Sequence, residues 1–191
     1  MKIGLYFGSY NPIHNGHLII ANFIVNNSDL EQVWLVVSPQ NPFKTSTVLL
    51  NEYERLYLVR LAVEDEPRLR VSDVEFKLPK PSFTIDTLIY LEEKYPQHEF
   101  SIIMGSDSFE NLDKWKNADV LKKKYPIIVY QRPGHLVDLA VDREHKPLVL
   151  QAPLLEISAT MIRKNISQGK SIRYLVPEKV REEIEKGGYY K

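Results

Sequence analysis

Two histidines, His14 and His17, stand three residues apart in a stretch, 8–17, that also contains Gly8 and Gly16. Glycines let backbone amides approach a ligand closely, and the N-terminus of a following helix offers unpaired N–H groups that suit phosphate. On a helical turn both imidazoles would lie on the same side and could donate hydrogen bonds to a phosphate that gains charge during transfer. The alternative is a loop with two incidental histidines. A metal site is disfavoured, because no third ligand lies nearby in the sequence.

The composition excludes several classes of protein. The stretch is neither a GxxxxGK[ST] loop nor a GxGxxG loop. The 191 residues hold 25 Lys+Arg against 25 Asp+Glu and no cysteine. The charge balance argues against long nucleic acid as a partner, and the absent cysteine excludes a disulfide scaffold, a cysteine nucleophile and a thiolate metal site. We expect a cytoplasmic protein without a membrane segment, since we find neither a secretion signal nor an apolar run of about 18 residues.

Apolar runs and helical patterns alternate along the chain. We predict strands over 2–7, 33–37, 70–76, 100–104, 127–130 and 148–150, with Ile157 ending a further strand. Helices are predicted over 17–27, 51–64, 84–95, 107–113, 117–124, 158–167 and 177–187. This order predicts an α/β fold: a Rossmann-like, doubly wound parallel sheet with helices on both faces. We expect a single domain over 1–191 with a small C-terminal helical portion.

Three candidate segments, 8–17, 105–107 and 158–163, each come at the end of a predicted strand. In open parallel sheets, ligands bind outside the carboxyl ends of the strands, at the point where the strand order reverses. The three segments should therefore share one edge of the sheet, which is the strongest indication of an active site that needs no family comparison.

The first segment resembles the GxFxPxHxGH signature of the HxGH nucleotidyltransferases. Five fixed positions match at the right spacing: Gly8, Pro12, His14, Gly16 and His17. The segments at 82–88, 105–115 and 157–163 are similar to those of the bacterial nicotinate (nicotinamide) mononucleotide adenylyltransferases, a family within that superfamily. The resemblance covers nearly the whole chain, in the order and at the length typical of the family.

The resemblance implies transfer of the adenylyl group of ATP to nicotinate mononucleotide, with Mg²⁺ accompanying ATP. The residues that it implies for catalysis are His14, His17, Lys44 and Arg163. Those implied for binding ATP are Gly8, Ser9, Tyr10, Gly16, Gly105, Asp107, Arg132, Ser158, Thr160 and Arg163. Those implied for binding the mononucleotide are Asn11, Lys44, Thr84, Leu112 and Trp115.

Without the resemblance, several of these residues have a plainer interpretation. Trp115 is then a core or surface tryptophan, and Lys44 a solvated lysine. Thr84 and Asp107 are then helix N-caps, and Arg132 belongs to a structural ion pair. These interpretations stay open as alternatives to the binding roles.

The chain departs from the family pattern in a few places. Asn11 stands where aspartate is common, Tyr10 replaces the usual phenylalanine, and Ala159 replaces a serine. Because Ala159 lacks a hydroxyl group, we expect one contact fewer to the ATP phosphates than is typical of the family, and no loss of function. Two other functions stay open: a preference for nicotinamide mononucleotide, and a catalytically silent nucleotide-binding protein on the same fold. A homo-oligomer is also left open.

Overall fold

The computed structural model of the chain describes residues 1–39, 49–135, 137, 146–153 and 155–191. Its strands are β1 (Lys2–Gly8), β2 (Gln32–Val37), β3 (Leu69–Ser72), β4 (Glu99–Gly105), β5 (Ile127–Tyr130) and β6 (Leu148–Leu150). Within the described residues they form one six-stranded sheet in the order β3-β2-β1-β4-β5-β6, and every neighbouring pair is parallel. The order reverses between β1 and β4, which is the switch point of a Rossmann-like sheet. The predicted fold class is confirmed.

Helices connect and follow the strands. They are α1 (Asn15–Asn26), α2 (Glu52–Val63), α3 (Thr84–Lys94), α4 (Ser106–Phe109), α5 (Ala118–Lys124), α6 (Ala159–Ser167) and α7 (Glu178–Gly187). Short 3₁₀ turns cover Val74–Lys77 and Leu112–Lys114. In the described part of the chain, no helix is both long enough and apolar enough to cross a membrane.

The helices cover both faces of the sheet. Ile24 of α1, Val59 of α2 and Ile184 of α7 pack into the core on one face. Leu88 of α3 and Leu121 of α5 pack into the core on the other face. Strands that are covered on both faces carry near-continuous apolar runs, as Ile127–Tyr130 does.

Three of the predicted boundaries were wrong. The strand predicted over 70–76 ends at Ser72, because its last partner on β2 is Val36 and a 3₁₀ turn follows. Ile157 lies outside any strand. The helix predicted over 107–113 is a single turn, α4, followed by the second 3₁₀ turn. In each case the apolar pattern was present, but a strand needs a partner and a helix needs more than one turn to persist.

Candidate active site

Residues 8–17, here called the signature loop, connect β1 to α1 at the switch point of the sheet. His14 is the N-cap of α1 and His17 lies in its first turn. Their imidazole rings stack with centroids 3.7 Å apart and an interplanar angle of 25°. The backbone N–H of His14 donates to Nδ1 of His17 over 3.3 Å. A neutral His17 therefore carries its proton on Nε2, where it can donate to a ligand.

His14 is buried and uncharged at neutral pH. Its side chain is 6% exposed, and its Nδ1 has no hydrogen-bond partner among the described residues. Burial first, and the charge of Arg132 second, lower the pKa of His14 from 6.5 to about 4. A Cβ atom at Gly16 would lie 3.0 Å from Nδ1 of His14, so glycine leaves room for this ring. His14 therefore offers a neutral hydrogen-bond donor at the start of a helix.

The backbone of the signature loop is fixed by a buried arginine that the sequence analysis missed. Arg55 of α2 is fully buried, and its guanidinium donates to the carbonyl oxygens of Ser9, Ser38, Pro39 and Leu50. The spacing held a signal, since residues 55, 59 and 63 fall on one helical stripe. Arg60, the other arginine of α2, is exposed.

The side chains of Tyr10 and Asn11 face the protein interior. Tyr10 has a φ of 45°, and its hydroxyl donates to the Tyr6 carbonyl oxygen over 2.6 Å. The Oδ1 atom of Asn11 accepts from the backbone N–H of Leu50 over 3.2 Å. Both side chains are buried, so the contacts predicted for these two residues could come only from their backbone.

The start of α6 reaches the signature loop through Arg163. Its Nη1 donates to the Asn11 carbonyl oxygen over 2.8 Å, and its Nη2 donates to Oγ1 of Thr160 over 3.2 Å. Ser158 is the N-cap of α6, and its Oγ accepts from the Met161 N–H over 3.2 Å. The structure thus brings the segments 8–17 and 158–163 together, although no strand directly precedes the second segment.

The third segment follows β4. Oδ2 of Asp107 lies 3.4 Å from Nη1 of Arg132, whose Nη2 donates to the Tyr130 hydroxyl over 3.1 Å. Oδ1 of Asp107 is buried without a hydrogen-bond partner in the described part of the chain, so it is available to a donor such as a sugar hydroxyl. A Cβ at Gly105 would lie 2.5 Å from that oxygen, so a larger residue at this position would force the Asp107 side chain to move.

A cavity of about 160 Å³ opens between β1 and β4. Four residues predicted to bind substrates line it: Gly8, Thr84, Gly105 and Trp115. Glu75 and Ser82 also line it, and the sequence analysis did not select them.

Two predicted contacts need separate treatment. Leu112 is 0% exposed and its side chain packs in the core, so its predicted contact with the mononucleotide would have to come from its backbone and stays a prediction. Lys44 lies outside the described residues, and its predicted role stays a prediction.

A cytidylyltransferase-like family model matches residues 5–165. The chain is 50% identical to the probable nicotinate-nucleotide adenylyltransferase of Flavobacterium psychrophilum over 192 residues, with 100% of both chains covered. It is 51% identical to the protein of the same name from Cytophaga hutchinsonii, over 100% of this chain and 98% of that one.

The fold also matches solved structures. The nicotinic acid mononucleotide adenylyltransferase of Plasmodium falciparum complexed with NaAD has a TM-score of 0.82 at 20% identity, over 99% of this chain and 97% of that one. The same protein complexed with APC gives 0.81 at 19% identity, over 99% and 96%. At these identities the likeness shows a shared fold.

Proposed function

The chain belongs to the cytidylyltransferase-like family, and we propose that it transfers the adenylyl group of ATP to the 5′-phosphate of nicotinate mononucleotide. The products are nicotinate adenine dinucleotide (deamido-NAD) and pyrophosphate. It is thus a nicotinate-nucleotide adenylyltransferase, a nucleotidyltransferase of NAD biosynthesis. The observation that carries the proposal is the stacked His14–His17 pair at the switch point of the sheet. We also propose a cytoplasmic location, which the absence of cysteine favours.

In this mechanism the substrate supplies the nucleophile. An oxygen of the 5′-phosphate forms a bond to the α-phosphorus of ATP, and the bond from that phosphorus to the bridging oxygen breaks, so that pyrophosphate leaves in line. Catalysis then consists of positioning and charge stabilisation. His14, which is neutral, and His17 donate to the phosphates at the N-terminus of α1, and Arg163 and Lys44 add positive charge.

The two substrates would occupy neighbouring parts of the sheet edge. The carboxylate oxygen of Asp107 that has no hydrogen-bond partner among the described residues supports binding of the adenosine ribose hydroxyls. Trp115 and the N-terminus of α3 at Thr84 line the cavity and support binding of the pyridine ring. Mg²⁺ would arrive with ATP as part of that substrate, held by phosphate oxygens and water. In the described residues no group of three or more metal-ligating side chains competes for it.

The test is incubation of the protein with ATP, Mg²⁺ and each pyridine mononucleotide, followed by measurement of pyrophosphate. Release with the nicotinate form supports the proposal, and faster release with the nicotinamide form would reverse the assigned preference. No release with either would favour a silent nucleotide-binding protein. The proposal favours an active enzyme because His14, His17 and Arg163 are all present and lie together at the signature loop.

A further inference from the structure

Glu75 is a buried carboxyl group on the wall of the cavity. It lies in the 3₁₀ turn that follows β3, and its side chain is 3% exposed. The cavity that it lines is the one lined by Thr84 and Trp115. Glu75 is therefore adjacent to the space assigned to the pyridine ring, and the mechanism above gives it no role.

The partners of Glu75 are hydroxyl groups. Oε1 accepts from Oγ1 of Thr87 over 3.1 Å, and the hydroxyl groups of Ser38 and Ser82 also favour the ionised carboxyl group. Ser38 and Ser82 line the same cavity. No lysine, arginine or histidine of the described residues forms an ion pair with Glu75. Burial raises the pKa of this carboxyl, and the hydroxyl groups of Ser38, Ser82 and Thr87 oppose the rise by favouring the ionised form. A buried carboxylate without a counter-charge is unfavourable unless something else supplies one.

Lys116, a lysine in the cavity wall, already forms an ion pair with Asp86. Nζ of Lys116 lies 2.9 Å from Oδ2 of Asp86 and 4.9 Å from the centroid of the Phe83 ring. The remaining walls include the faces of Phe83 and Trp115, and aromatic faces attract cations. The interior of the cavity is thus suited to a flat cationic group that arrives from outside.

We propose that Glu75 supplies the counter-charge for the pyridinium ring of the mononucleotide and so selects substrates whose ring is cationic. This inference rests on the proposed function. Nicotinate mononucleotide is a zwitterion in its ring, with a positive ring nitrogen and a negative carboxylate. The N-terminus of α3, which begins at Thr84, favours the carboxylate, while Glu75 favours the ring. A neutral ring of the same shape would leave Glu75 uncompensated.

The probe pair is oxidised and reduced nicotinamide mononucleotide, which share the ribose phosphate and the amide but differ in ring charge. We expect the wild-type protein to bind the oxidised form more tightly in calorimetric titrations. In Glu75→Gln, which preserves shape and removes the charge, this affinity ratio should fall by at least about threefold. The KM for ATP should not change. Because the ratio is compared between proteins, any difference in stacking between the two rings cancels.

Thr87→Val is the matched control, because it removes the hydroxyl that donates to Glu75 and leaves the charge in place. It should lower the melting temperature and preserve the wild-type ratio. An unchanged ratio in Glu75→Gln, or an equal fall in Thr87→Val, would overturn the proposal in favour of a structural carboxyl. If the wild-type protein releases pyrophosphate while Glu75→Gln keeps the ratio, the inference alone fails. If the wild-type protein neither binds a mononucleotide nor releases pyrophosphate, the proposed function fails with it.

Discussion

Nη1 of Arg55 donates to the carbonyl oxygen of Ser9 over 2.5 Å, which ties helix α2 to the loop that carries both histidines. The same nitrogen donates to the Ser38 carbonyl oxygen over 2.8 Å. One guanidinium thus joins the loop after β1 to the loop after β2. A buried charge of this kind is stabilised by hydrogen bonds to neutral carbonyl groups in place of a carboxylate partner.

Arg55→Met should destabilise the protein and impair catalysis together. The substitution leaves several buried carbonyl groups without donors, so we expect the free energy of unfolding to fall by about 3 kcal/mol. Urea unfolding measures this loss. Arg55→Lys restores the charge but not the planar fork, so kcat should recover only in part. Arg60→Met, at an exposed position on the same helix, is the control and should retain both stability and kcat. Full activity in folded Arg55→Met would contradict the positioning role.

His17→Ala should lower kcat by at least about tenfold with the fold intact, because it removes a donor to the phosphates in the transition state. Pyrophosphate release gives kcat, and circular dichroism reports the fold. His98→Ala is a useful comparison, since His98 stacks on Tyr95 with centroids 5.6 Å apart and precedes β4 at the far edge of the sheet. It should lower the melting temperature and preserve kcat. Near-normal turnover in His17→Ala would remove His17 from the mechanism.

Stability should depend on the protonation of His14. Its pKa is about 4 in the folded protein against 6.5 when unperturbed, because burial disfavours the charged ring. Between these values the unfolded chain binds a proton that the folded chain does not, so stability is lost as the pH falls from 6.5 to 4. A pKa shift of this size corresponds to a loss of about 3 kcal/mol in the free energy of unfolding.

The measurement is urea unfolding of the wild-type protein and of His14→Asn at pH 7 and pH 4. The wild-type protein should lose more stability than the variant over this interval, since the variant has no ring to protonate. Parallel losses in the two proteins would show that carboxyl groups, and not His14, account for the acid sensitivity. Over pH 6 to 8, ionisation of His14 should leave kcat unchanged, because the ring is neutral throughout.

Arg163→Lys should weaken the use of ATP. Lysine retains the charge but cannot contact both the Asn11 carbonyl and the Thr160 hydroxyl as the guanidinium does. We expect kcat/KM for ATP to fall about tenfold or more. Lys164→Gln, at the exposed neighbouring position on α6, should behave as wild type. Equal values for the two variants would show that Arg163 acts only through its charge.

Much of the fold could be predicted, because strands buried on both faces, such as Ile127–Tyr130, leave an unmistakable apolar run. The convergence of the signature loop with Arg163 was predicted from a strand ending at Ile157 that does not form, and an irregular segment after β6 leads to α6 instead. Arg55 was missed because its partners are backbone carbonyls, whose directions no residue type reveals. Glu75 was missed because the pattern around it was interpreted as a strand, in which a glutamate would alternate outward.

The direction of the parallel strands also determines where a tag or label can be attached without disturbing the active site. The carboxyl ends of all strands point toward the active site. Met1, whose carbonyl accepts from the Glu99 N–H, therefore lies at the other end of the sheet, where β1 and β4 begin. Tyr190, by contrast, is buried close to Arg55 and Arg163. An affinity tag, a fluorophore or a surface linker is therefore best attached through the amino end, which lies away from the active site.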